Sequence, residues 1–120
     1  MTVQKHPEHV QVGAITYRVS SDPDEWMRYE HDERVSGNYG ATHHKSATIL
    51  LNPESTDDVT RLTLWHEVLH AMSETLMGAP EWRHLGKDRT TREESVVRLL
   101  ESPTLTILRD NPDLVAYLTR

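Results

Sequence analysis

The stretch LTLWHEVLHAMSETL, Leu62–Leu76, decides how the rest of this chain is read. Its apolar residues recur with helical spacing, yet two histidines and a glutamate stand near its middle. A helix face turned inward rejects such groups unless a partner satisfies them, either a core hydrogen bond or a metal ion. Outward from the motif, Ser55 followed by Asp58 resembles a helix start, and Gly78 with Pro80 beyond it resembles a stop. The spacing therefore predicts a helix from Ser55 to about Met77, with Val59, Leu62, Leu69, Met72 and Leu76 as its buried positions.

The rest of the chain supplies strands before this helix and helices after it, which predicts an α+β fold. Val10–Val19 alternates and is rich in β-branched residues, so it reads as a strand with an irregularity at Gly13. Asp22 or Ser21 followed by Pro23 suits the start of a short polar helix. SGNYGATHH has turn chemistry, and Ser46–Leu51 reads as a second strand ended by Asn52-Pro53. Thr90 or Thr91 is placed to cap a further helix carrying Val96, Val97, Leu99 and Leu100, which Ser102-Pro103 kinks or restarts. Asn111-Pro112 announces a last short helix.

The chain has 120 residues, enough for a single domain over 1–120 with a modest core. Its net charge of −6, from 13 basic and 19 acidic side chains, comes without a basic stripe and argues against a nucleic-acid partner. No apolar run approaches the roughly 18 residues of a membrane span. The polar start MTVQKHPEHV is unlike a signal peptide, so a cytoplasmic protein without a membrane partner is expected. Cysteine is absent, which leaves His, Asp and Glu as the available metal ligands.

His66, Glu67 and His70 form H-E-x-x-H. On a helix, side chains four apart project to one side, so both imidazoles can address one ion. Zinc accepts neutral imidazole, and a catalytic zinc takes three protein ligands with one position open. Glu67 is placed to accept a proton from a zinc-bound water. The metzincin spacing would put a third histidine at position 76, which is Leu76, so that branch is excluded. His84 is an alternative ligand, but TREESVVRLL offers Glu93 or Glu94 at the start of the next helix. Helical phase favours Glu93, which lies three, four and seven residues before Val96, Val97 and Leu100. Glu94 shares a side with Arg98 and Glu101 and stands where a capping-box glutamate after Thr91 belongs.

HEVLHA followed by EESVVRLL resembles the gluzincins, the His-Glu-x-x-His zinc peptidases with a downstream glutamate. Within them it is most similar to the compact phage and bacterial ImmA/IrrE-like metallopeptidases, whose small phage members share an ending like LRDNPDLVAYL. The resemblance covers roughly Ile49 to Leu118, with Val10–Val19 a looser match. It implies a minimal zincin-like core: a small, partly antiparallel sheet on an active-site helix, and a second helix bearing the last ligand. It also implies that Ser46–Leu51 is the sheet edge along which a peptide substrate lies. The family's Glu-x-x-Ala pattern, laid on Glu93-x-x-Val96, agrees with Glu93 as the third zinc ligand. The expected function is zinc-dependent hydrolysis of a peptide or protein substrate, with His66, His70 and Glu93 holding zinc and Glu67 as general base. An inert zinc-binding interaction module is the alternative. Tyr117, His84, Arg83 and Tyr39 are the candidates for stabilising the oxyanion, and His43-His44 is a further histidine pair near the second strand.

Overall fold

The computed structural model describes residues 5–81 and 85–120, so the expectations placed on Arg83 and His84 lie outside the described residues. The elements run β1 (His9–Val12), β2 (Ile15–Ser20), α1 (Pro23–Glu33), β3 (Gly40–His43), β4 (Thr48–Leu51), α2 (Asp57–Leu76), α3 (Arg89–Asp110) and α4 (Pro112–Leu118). The fold is α+β, with a mixed four-stranded sheet in the order β1-β2-β4-β3. No helix among the described residues is long and apolar enough to cross a membrane.

The segment Val10–Val19 is a hairpin rather than one strand. β1 and β2 pair antiparallel, with Val12 opposite Ile15, so Gly13-Ala14 is a two-residue turn. Gly13 has φ 61, the conformation that a turn with glycine at its first central position requires. A Cβ there would also lie 2.5 Å from Leu76 Cδ2, so the turn presses against the end of α2.

β4 pairs with β2 in parallel and with β3 antiparallel. It is therefore an inner strand, and the expectation that it forms the sheet edge is corrected. Its sequence TILL is buried at all four positions, as a strand covered on both faces should be. The edge on that side is β3, which lies within the segment read as a turn. Gly37, Asn38 and Gly40 masked a short strand whose partner is supplied only by the folded sheet.

One face of the sheet, carrying Val10, Val12, Tyr17, Val19, Ile49 and Leu51, forms a single core with the helices. α2 contributes Leu64, Val68, Ala71 and Met72 to it, α3 contributes Ile107, and α4 contributes Leu114 and Tyr117. Leu50, of opposite parity on β4, is buried outside this cluster, as is Trp26 of α1. Asp22 caps α1 and Pro23 is its first residue. α2 is capped by Thr56, whose hydroxyl accepts from the Val59 N–H, one residue later than the expected Ser55. α3 is capped by Asp88 rather than by either threonine. Its 22 residues run through Pro103 as one helix, and the Thr104 hydroxyl donates to the Leu100 carbonyl in that turn.

Candidate metal and catalytic site

The buried stripe of α2 is Leu64, Val68, Ala71 and Met72, a spacing of four, three and one that faces the sheet. His66 and His70 fall on the opposite side of the helix and are exposed. The puzzle posed by polar groups on an inward face is thus resolved by orientation. Leu62 and Val59, expected to be buried, share the outer side at 71% and 37% exposure. Of the other expected positions, Met72 is in the core and Leu69 and Leu76 pack against it, so the misplaced pair lies in the first half of the helix. Only Glu67 of the motif is buried, at 6% exposure, along the flank where β3 meets the helix.

The two imidazoles stand together. His66 Nε2 lies 3.1 Å from His70 Nε2, with ring centroids 4.8 Å apart. Beneath them, Thr42 of β3 donates its hydroxyl to Glu67 Oε1 at 2.8 Å. The second carboxylate oxygen, Oε2, is turned toward His66 Nε2 at 3.9 Å. One oxygen of Glu67 is thereby fixed by the scaffold and the other is presented beside the histidine pair.

This contact depends on the close approach of β3 to α2. A Cβ on Gly40 would lie 2.7 Å from Thr63 Cγ2, 3.0 Å from the Leu50 carbonyl oxygen and 3.2 Å from Glu67 Cγ. Glycine is required there by space. The preceding loop is held to β4 by Asn52, whose backbone N–H donates to the Tyr39 carbonyl and whose side chain donates to the Asn38 carbonyl. The result is an open cleft of ≈ 260 Å³ lined by Asn38, Tyr39, Gly40, Leu62, Thr63, His66 and Glu67.

Glu93 is exposed in the second turn of α3. Among the described residues no set of three His, Asp or Glu side chains is gathered where it could hold a metal ion, so Glu93 does not stand with His66 and His70. The stripe used to place it is divided: Val96 and Leu100 are partly buried, whereas Val97 is 50% exposed. Glu94 is exposed and accepts from Arg98 Nε at 3.2 Å, in place of the capping role that Asp88 fills.

Of the oxyanion candidates within the described residues, Tyr39 lines the cleft and Tyr117 does not. Tyr117 is buried beneath the Arg61 guanidinium, which lies 5.7 Å from its ring centroid, and burial raises its phenol above the ordinary range. His43 packs edge-on against Tyr29 at 5.5 Å, and His44 Nδ1 lies 3.2 Å from the buried Tyr17 hydroxyl. His43 is partly buried at the end of β3, whereas His44 is exposed in the turn that follows it, and each is engaged away from the cleft. Gly40 and Thr42 are the site residues that sequence reading missed. Their signal was the alternation Gly-Ala-Thr-His ahead of TILL, which puts Gly40 and Thr42 on one face of a strand.

Compared with known proteins, the chain matches no family model, no curated protein and no solved structure.

Proposed function

We propose that this chain is a zinc-dependent peptidase acting at the cleft between β3 and α2. The observation that carries the reading is the 3.1 Å separation of His66 Nε2 and His70 Nε2. Two nitrogens, each about 2.0–2.1 Å from one tetrahedral ion, lie about 3.3 Å apart. The imidazoles therefore need only a small adjustment to share an ion, and they sit on an exposed face that ion and substrate can both reach.

When bound there, zinc would supply Lewis acidity to the scissile carbonyl and to the attacking water. The chain's own contribution is a positioned base. Thr42 fixes one oxygen of Glu67, and the other faces the histidine side of the cleft, where it can take a proton from water and return it to the leaving amine. Glu93 completes the ligand set in this proposal, which requires the first turns of α3 to close on α2. Tyr39 lines the cleft and in this proposal would orient the substrate carbonyl.

Zinc titration by calorimetry, followed by exposure of the loaded protein to a mixed peptide library, tests the reading. One zinc per chain and cleavage that a chelator abolishes are expected. His66→Ala and His70→Ala should each lose the metal. Tight zinc with an intact library would favour the inert interaction module, and no zinc binding would overturn both readings.

A further inference from the structure

Two clefts flank the outer side of α2, and they share one side chain. The first holds His66 and Glu67. The second, a groove of ≈ 380 Å³, is lined by Asp58, Arg61, Leu62, Trp65 and Leu118. Leu62 belongs to both, one helical turn before His66, and forms the ridge between them. It is 71% exposed and so contributes little to the core.

The polar groups of the groove are engaged with each other and with the protein. Arg61 Nη1 pairs with Asp58 at 2.9 Å, and its guanidinium lies over the Tyr117 ring. The remaining walls, Leu62, Trp65 and Leu118, are apolar. Side chains one turn apart on a helix lie about 5–6 Å from each other. An extended peptide covers that distance in about two residues, at about 3.3 Å each.

We propose that this groove receives a bulky aliphatic or aromatic side chain of the peptide substrate, one or two residues from the cleaved bond. Leu62 is the specificity-determining residue. The proposal rests on the peptidase reading, because it is continuity with the His66–Glu67 cleft that identifies the occupant. A separate protein ligand would have no reason to align with that ridge.

Hydroxamates of leucyl-glycine, phenylalanyl-glycine and glycyl-glycine are suitable probes, since each brings a zinc-binding head and the first two carry one apolar side chain on the second residue from it. Their affinities for the zinc-loaded protein are measured by calorimetry. The leucyl and phenylalanyl compounds should bind at least about tenfold more tightly than the glycyl compound, the gain expected from partly burying one apolar side chain. Leu62→Asp should reduce that ratio to about one, whereas Leu62→Met should keep it. Circular dichroism checks folding, and Leu118→Ser provides the same reading if Leu62→Asp does not fold. Equal affinities for the three compounds, or a ratio unchanged in the variants, overturn the groove while leaving the metal site intact. Absence of zinc and hydroxamate binding overturns the peptidase reading and this proposal together.

Discussion

Glu67 occupies the position where the site's geometry can be tested most directly. A carboxylate at 6% exposure is tolerated because Thr42 donates to it and because it borders an open cleft. If it is the base, Glu67→Gln should retain zinc and lose at least about 10²-fold in hydrolysis rate. The amide keeps the shape and an acceptor for Thr42 but cannot take up a proton. Single-turnover cleavage beside a zinc titration separates the outcomes, and an unchanged rate would remove Glu67 from the chemistry. The sequence identified Glu67 and the histidines because their relation is local, fixed by four residues of helix. Thr42 was not legible, since 25 residues separate it from Glu67 and only the packing of β3 on α2 joins them.

At the scale of elements, α1 and α3 differ in how firmly they are anchored. The first turn of α1 is joined to β2 by Glu25, which accepts from Arg18 and from the Ser20 hydroxyl at 2.6 Å. The Arg18 hydrogen bonds, reinforced by Ser20, lower the Glu25 carboxyl to about 2 from its ordinary 4.5. A depressed folded-state pKa stabilises the fold above the unfolded value, and that contribution is lost as pH falls from about 4.5 to about 2. Urea midpoints followed across this window should decline in the native protein. Glu25→Gln should flatten that decline, and an identical pH profile in the variant would refute the linkage.

α3 is held mainly through its second half, where Ile107 is fully buried and Leu100 packs on the core. If Glu93 is the third ligand, Glu93→Ala should lose most zinc affinity while Glu94→Ala keeps it. Glu94→Ala removes only an exposed ion pair with Arg98, a change of about 0–1 kcal/mol in unfolding free energy. The reverse pattern of zinc affinities would reassign the ligand. Capping was misplaced from sequence at α2 and α3 because Ser55, Thr56, Asp88, Thr90 and Thr91 all have suitable side chains. The backbone angle at each position chooses among them, and that angle is set by the loop leading in.

At the scale of the molecule, the Cα radius of gyration is 15.6 Å. A compact chain of this length would have about 13.6 Å. A helix of 22 residues, about 33 Å long, accounts for much of the extension. What ties its end to the sheet is Asn111. Its side-chain oxygen accepts from the Gln11 N–H at 2.7 Å, and its amide donates to the carbonyls of Gln11 and Ile107, both at 2.8 Å. One side chain thus pairs with the outer edge of β1 much as another strand would, and it closes an edge that would otherwise be exposed. Asn111→Ala should destabilise the protein by about 1–3 kcal/mol, because these buried polar groups lose their partner. Asn111→Asp should be worse, since a carboxylate would face two carbonyl oxygens. Urea unfolding decides both, and a variant as stable as the native protein would deny the clasp any role.

What depends on neighbours along the chain is legible before folding is considered. Local patterning specified the α+β class, the existence of α2 and α4, Pro23 at the start of α1, and the pairing of His66 with His70, because helix periodicity and proline geometry act over a few residues. Packing alone settled which side of α2 is buried, that β4 is inner and β3 an edge, and that Thr42 meets Glu67. Each of these depends on surfaces distant in sequence that meet only when the sheet assembles. An apolar side chain such as Leu62 carries no mark of whether a partner surface will arrive to cover it.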